Sequence, residues 1–201
     1  MRNLKTLSLA TASLILLGLA QPNNGWSDSI GDKVKEYIDN ATEALKNGID
    51  KLEGNFAAIQ DYLDHYPWKG IIQTEATSGP VTVGHLKLNG HSKAIVAAPG
   101  QTIAAEVKCA FDPDKSTFFG HYEIVIGLKG LGPQVVIGSE GLADGKTKEE
   151  FTLVAPETRG IYEIRFRPAK IIFKLPAFSE WLDSEGHEPD AKTTIGLIVV
   201  K

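Results

Sequence analysis

The chain has 201 residues, of which 42% are hydrophobic and 23% are charged. This balance is typical of a globular protein, and the length suits one domain with an appendage. The formal net charge is −4 and no basic stripe is present, which argues against a nucleic-acid partner. Cys109 is the only cysteine, so an intramolecular disulfide is excluded. It lies on the apolar face of an alternating segment, which predicts a buried thiol.

The first 20 residues predict a secretory signal peptide. Arg2 and Lys5 make a positive start, and an apolar stretch runs from residue 7 to residue 20. Gly18 and Ala20 are small residues of the kind that signal peptidases accept. We therefore expect cleavage after Ala20 and an exported protein, located in the periplasm, at the cell surface or outside the cell. An uncleaved N-terminal anchor is the alternative, although the apolar run is shorter than the ~20 residues of a spanning helix.

Residues 21–66 predict an amphipathic helical segment, because apolar residues recur there every three or four positions. The pattern ends at Tyr66, since the residue before a proline avoids the helical region. Asn47-Gly48 is the expected break between two shorter helices. The stripe docks on the β domain or, alternatively, forms a homo-oligomeric coiled coil through residues 30–63. The stripe comprises Ile30, Val34, Tyr37, Ile38, Ala41, Leu45, Ile49, Leu52, Phe56, Ile59 and Leu63.

Residues 67–201 predict a mainly β domain. From residue 70 onward the apolar pattern has a period of two, beginning with a strand over residues 71–74, and Gly, Pro, Asn and Asp punctuate it. Eight to ten short strands at this spacing indicate an antiparallel β-sandwich. Asn89-Gly90 predicts a tight hairpin. The final stretch, residues 197–200, is apolar on both faces, so the last strand should be central or covered on both sides.

Two segments carry a resemblance to known modules. The run Ala-Ala-Pro-Gly-Gln-Thr-Ile over residues 97–103, followed by an alternating strand, resembles the opening of bacterial immunoglobulin-like modules. Residues 151–156 and 160–166 resemble their closing hairpin. Such modules are similar in turn to carbohydrate-binding sandwiches. The resemblance covers about half of the chain that follows the signal peptide, and it implies a sandwich fold without assigning any functional residue.

Motifs for catalysis or cofactor binding are absent from the sequence. Residues 138–141 miss the spacing of a hydrolase nucleophile elbow by one position, and residues 141–147 miss that of a phosphate loop by one position. The five histidines have neither zinc-finger nor metalloprotease spacing. These absences predict a protein without a catalytic centre or an organic cofactor.

An acidic loop after Trp181 is a candidate metal site. Asp183, Glu185 and Asp190 lie there with His187 and Glu188, and such a loop offers the oxygen ligands that Ca²⁺ requires. The alternative is a solvated loop. No other cofactor is expected.

Aromatic residues at predicted junctions are candidate ligand-binding residues. Tyr66, Trp68 and Trp181 present large ring faces that could stack on a sugar, and packing against the protein is the alternative. On another strand Glu163, Arg165 and Arg167 share one face, which we expect to be the solvated outer face of the strand.

Together these patterns predict an exported, non-enzymatic interaction module that binds a protein or a glycan at the cell envelope. The alternative is a hydrolase with two paired carboxylates, which meet only in the folded chain and leave no motif. A deep cleft with two carboxylates of displaced pKa would favour the hydrolase. A shallow surface would favour the binding module.

Overall fold

The computed structural model describes residues 40–52, 54–68, 72–116, 121–138, 145–171, 179, 181–183 and 185–201. The predicted signal peptide and the first part of the apolar stripe, up to Ile38, lie outside these residues. The described chain is mainly β, with two largely antiparallel sheets and two short helices, which confirms the predicted fold class at that level. In the described ranges no helix is long and apolar enough to cross a membrane.

Within the described residues, ten strands form two five-stranded sheets. In sheet A the order is β1-β2-β5-β8, with β3 paired to β2, and all pairings are antiparallel. In sheet B the order is β4-β10-β9-β6-β7; among the described pairings of this sheet, β4 with β10 is parallel and the others are antiparallel. The strands are β1 (Glu75–Ser78), β2 (Val81–Leu88), β3 (His91–Ser92), β4 (Ala94–Ala97), β5 (Thr102–Phe111), β6 (His121–Leu128), β7 (Gly132–Ile137), β8 (Gly145–Val154), β9 (Gly160–Ile171) and β10 (Thr194–Val200).

One hydrophobic core is shared by the two sheets. It contains Val83 and Val107 from sheet A together with Ile124 and Phe166 from sheet B. Alternation along the strands produces it, because successive side chains of a strand point to opposite faces. Cys109 lies in this core and is 1% exposed, which confirms the predicted buried thiol. Burial, aided by the charge of Glu149, raises the pKa of Cys109 to about 12, so the thiolate is not populated near neutral pH.

Two helices precede the sheets, α1 (residues 40–50) and α2 (Phe56–His65). The predicted break at Asn47-Gly48 was wrong: the helical stretch continues to residue 50, and the chain turns at Gly54, whose φ of 77° favours glycine. Gly48 instead lies against the ring of Tyr62, where a Cβ atom would clash. Asn55 caps α2 by accepting a hydrogen bond from the N–H of Ala58.

The helices pack on the outer face of sheet B. Leu45 and Ile49 of α1 and Ile59 and Leu63 of α2 are buried in one cluster with residues of β4 and β10. This part of the stripe therefore docks on its own β domain. Every residue of β10 is buried, because Ile198 and Val200 enter the shared core while Leu197 and Val199 lie under the helices. The prediction that the last strand is covered on both sides is confirmed.

The first strand begins later than predicted. Residues 72–74 are not in a strand, and Ile72 is buried in the cluster beneath the helices. β1 starts at Glu75 and turns at Gly79. The Asn89-Gly90 hairpin between β2 and β3 is confirmed, with positive φ at both turn residues.

Two glutamine side chains occupy sheet edges in the same way. Gln60 of α2 donates to the carbonyl of Ala94 at 3.3 Å and accepts from the N–H of Val96 at 3.0 Å. Gln134 of β7 donates to the carbonyl of Val154 and accepts from its N–H, both at 2.9 Å. The side-chain amide of Gln60 makes the hydrogen bonds that a neighbouring strand would make to the edge of β4, and the amide of Gln134 does the same for β8. The unpaired backbone groups of an edge, which invite association with other chains, are thereby satisfied locally.

Candidate functional site

The polar face of β9 is covered by the chain after Trp181. The side chain of Arg165 is only 8% exposed, and its Nη1 donates to the carbonyl of Pro189 at 2.6 Å. Arg167 donates to the carbonyl of His187 at 3.0 Å. The expectation that this face is solvated was wrong. The two arginines donate to backbone carbonyls of residues 187–189 and so hold that stretch on the sheet.

Glu163 is the anionic centre of this region. It accepts from Arg165 at 2.6 Å, from Lys129 at 2.9 Å and from the Thr194 hydroxyl at 3.0 Å. Burial opposes ionisation, but the hydrogen bonds and charges of Lys129 and Arg165 outweigh it and hold the pKa of Glu163 below its usual value. The buried charge is therefore fully compensated, which a buried ion pair requires to be tolerated.

Glu188 fixes the same segment from its other side. Its two carboxylate oxygens accept from the N–H of Gly130, each at 3.0 Å, and Oε1 accepts from Trp181 Nε1 at 3.5 Å. The indole of Trp181 is 3% exposed and packs with Val125 and Ala169 on the outer face of sheet B. Trp181, one of the three predicted ligand-binding aromatics, thus has its ring buried by protein.

The predicted metal ligands hold turns. Asp183 Oδ1 accepts from the N–H groups of His187 at 2.8 Å and Glu185 at 2.9 Å. The hydrogen bond from His187 contributes most to lowering the pKa of Asp183. Asp190 caps the 3₁₀ turn Ala191–Thr193 by accepting from the N–H of Lys192. Among the described residues no group of three or more His, Cys, Asp or Glu is arranged to hold a metal, and calcium binding at this loop stays a prediction.

Tyr66 and Trp68, the other predicted ligand-binding aromatics, lie together at a shallow depression of about 420 Å³. Their ring centroids are 4.7 Å apart, and Trp68 Nε1 donates to the carbonyl of Leu63 at 2.9 Å. Trp68 is 7% exposed, so only an edge of the indole reaches solvent. Asp64, Thr74 and Lys93 also line this depression. It lies between α2 and the connection from β3 to β4.

No described helix covers the outer face of sheet A. Its outward side chains on β2, β5 and β8 are exposed or half-buried, and a shallow groove of about 510 Å³ crosses it beside the Asn89-Gly90 hairpin. Lys87 and Lys148 both pair with Glu106, at 3.6 and 2.9 Å, and Lys148 also pairs with Glu150 at 2.7 Å. The sequence does not mark this face as a site, because alternation of charged and apolar residues is the ordinary pattern of a half-buried strand.

The described carboxyl groups give no support to a paired-carboxylate hydrolase. Where their pKa is displaced from its usual value, the displacement is downward in each case, and the cause is a hydrogen bond or a neighbouring positive charge. A general acid for glycoside hydrolysis needs a raised pKa. These groups are Asp50, Glu106, Asp112, Glu163 and Asp183.

Comparisons with known proteins assign the chain to no family: it matches no protein-family model and no curated protein sequence. Its function has to be inferred from the chemistry of its own surfaces. Within the described ranges, the outer face of sheet A and the depression beside Tyr66 and Trp68 are both open surfaces with concave relief.

Proposed function

We propose that the protein is an exported, non-enzymatic binding module of the cell envelope, and that it binds a protein partner through the outer face of sheet A. The observation that carries the proposal is the unequal covering of the two sheets. The outer face of sheet B lies under α1, α2 and Trp181, whereas the outward side chains of β5 and β8 are exposed.

We propose that the two sheets form a β-sandwich, which has two outer faces. The sheets share one core, in keeping with the resemblance to bacterial immunoglobulin-like modules. A fold of this kind hosts many functions, so the assignment depends on the surface and its side chains. Export is proposed from the signal-peptide pattern of residues 1–20.

The side chains of this face favour a protein over a glycan. The exposed positions on β5 and β8 are threonine, alanine, lysine, glutamate and valine, and none of those described is aromatic. Phe151 is the aromatic residue among those described in the groove lining, and it is half-buried because it packs against the shared core, so it offers a sugar ring little surface on which to stack. A polar surface of mixed charge is typical of the rim and of much of the area of non-obligate protein interfaces.

The charges on the face lie in rows of like sign. Glu106 is directly opposite Glu150, and Lys108 is directly opposite Lys148 in the next row of the same strand pair. Like charges directly opposite each other destabilise a sheet. Lys108 is exposed and has no ion pair within the described residues. A partner that places a carboxylate beside Lys108 would reduce the repulsion between the two lysines. We propose this charge complementarity as the basis of recognition.

The size of the face indicates a reversible complex. The strands β1, β2, β5 and β8 have 4, 8, 10 and 10 residues, and at about 3.4 Å per residue and about 4.8 Å between strands they cover about 500 Å². Standard interfaces bury about 800 Å² on each partner. We therefore expect a transient complex in the micromolar range.

Photo-crosslinking in the producing cells tests the proposal. A photoreactive residue is placed at Ala104 or Thr152 on the outer face of sheet A, and at the exposed Asp61 of α2 as a control. We expect a discrete protein adduct from the two sheet positions and none from position 61. An adduct pattern shared by all three positions would overturn the proposal, and so would glycan-array binding that survives Lys108→Glu.

A further inference from the structure

Lys93 forms the connection between the two sheets. It lies between β3 and β4, its N–H donates to the carbonyl of Leu86 at 3.3 Å, and its carbonyl accepts from the N–H of Leu197 at 2.8 Å. Its φ of 66° is in the left-handed region, which residues other than glycine seldom adopt. Hydrogen bonds to both sheets thus hold Lys93 in a backbone conformation that glycine would adopt without strain.

The side chain of Lys93 is as unusual as its backbone. Among the lysines whose side chains the structure describes, only Lys93 and Lys201 are half-buried. Lys201 pairs with Asp50. Lys93 has no ion pair with any described residue, and burial alone lowers its pKa. A half-buried ammonium without a counter-charge is costly, and strain with such a cost is found mainly at functional positions.

The depression that Lys93 lines has an apolar wall on one side and uncharged polar side chains on the other. Trp68 and Ile72 are buried in its wall, beside Tyr66, and Thr74 and Ser92 offer hydroxyl groups. Asp64 is the one carboxylate among the described lining residues, and it is already engaged by His91 at 3.0 Å and Gln60 at 2.9 Å. Its volume of about 420 Å³ lies within the range of small-molecule sites, about 300–1,000 Å³.

We propose that this depression binds a small organic monocarboxylate with an apolar or aromatic body. The carboxylate accepts hydrogen bonds from the Lys93 ammonium, and the body of the ligand lies along the Tyr66–Trp68 wall. A phosphate is disfavoured, because the described lining contains no arginine fork and Asp64 would repel a second negative charge. The proposal is independent of the protein-binding face, since the depression lies between α2 and the β3–β4 connection.

The backbone strain supplies a test that separates binding from folding. Glycine at position 93 keeps the left-handed conformation and removes the ammonium. We therefore expect Lys93→Gly to leave the melting temperature unchanged or to raise it, while binding is lost. A purely structural role for Lys93 predicts the opposite, a lower melting temperature.

The binding experiment uses the mature chain, residues 21–201, and phenylacetate as the probe, with phenylacetamide as its neutral isostere and phenyl phosphate as its dianionic counterpart. NMR titration follows the indole N–H signal of Trp68. We expect saturable phenylacetate binding, at least tenfold weaker binding of the other two probes, and at least a tenfold loss of phenylacetate affinity in Lys93→Met. Lys93→Arg should retain most of the affinity, and Lys46→Met, at an exposed lysine on α1, is the matched control and should leave phenylacetate binding unchanged. The proposal is overturned by no saturable phenylacetate binding, by equal binding of phenylacetamide or phenyl phosphate, or by an unchanged affinity in Lys93→Met.

Discussion

The outer faces of the two sheets differ although both sheets share one core. On sheet B the outward residues Val96, Leu197 and Val199 are apolar, and the helices cover them. On sheet A the outward residues of β5 include Thr102 and Lys108, which are exposed. The composition of each strand therefore decides whether its outer face is covered. A strand that is apolar on both faces must be packed on both, whereas an alternating strand leaves a surface available for a partner.

The largest effect is expected where a charge enters the covered face. Leu63 is fully buried between α2 and sheet B, and Leu63→Asp should lower the free energy of unfolding by about 4 kcal/mol. Phe56→Asp, on the same helix but at a 40% exposed position, is the control and should cost far less. Urea denaturation measures both. Equal losses in the two variants would show that the helix does not hold its place on the sheet.

The second covered region depends on the buried ion pair. Arg165→Met removes the donor to Glu163 and to the carbonyl of Pro189, and we expect a loss of about 3 kcal/mol, because one charge remains buried without its partner. Arg167→Met removes the hydrogen bond to the carbonyl of His187 and the weaker charge interaction with the exposed Asp183, and it should cost less than half as much. A loss in Arg165→Met no larger than in Arg167→Met, again measured by urea denaturation, would contradict the assigned role of the pair.

The pH dependence of stability follows from the same group. Since the folded-state pKa of Glu163 is lowered, its contribution is present above the unfolded pKa of about 4.3 and is lost as the pH falls through the folded value. Thermal melts between pH 6 and pH 2 should therefore show a steeper acid loss in the native protein than in Glu163→Gln. Parallel curves for the two proteins would refute this assignment.

The sequence predicted features that depend on local chemistry and missed those that depend on distant contacts. Asn89-Gly90 defines its hairpin and Pro67 ends its helix, because each acts on neighbouring residues. The break at Gly48 was misplaced, since its small size serves contact with Tyr62 from the other helix. The covering of Arg165 by residues near Pro189 could not be foreseen, because the pattern of a single strand does not reveal what packs on it.

For the candidate-site residues, too, neighbours in the sequence were easier to predict than distant contacts. Tyr66 and Trp68 are close in sequence and line one depression. Trp181 lies elsewhere and packs against residues of β6 and β9 in sheet B. Lys93 carries no sequence motif. Its signal is the left-handed backbone at a connection between sheets, which only the folded chain shows.

The smallest expected effect concerns the edge of β4. Gln60→Ala removes two hydrogen bonds to Ala94 and Val96 and should cost about 1 kcal/mol. It should also increase association at high protein concentration, because the edge then lacks its partner. Asp61→Ala, an exposed neighbour on the same helix, is the control and should alter neither property. Analytical ultracentrifugation and urea denaturation give the two readouts, and a variant that remains as stable and as monomeric as its control would contradict the role of Gln60.

The central claim is that the outer face of sheet A is occupied by a protein in the cell while the other exposed surfaces are not. Amine-reactive labelling tests it by comparing the purified protein with the same protein in intact cells. Lys108 lies on that face, and Lys46 on α1 and Lys192 before β10 are exposed elsewhere. We expect Lys108 to be labelled in the purified protein and protected in cells, and Lys46 and Lys192 to be labelled equally in both. Equal labelling of Lys108 in both states, with protection of Lys46 in cells, would contradict it.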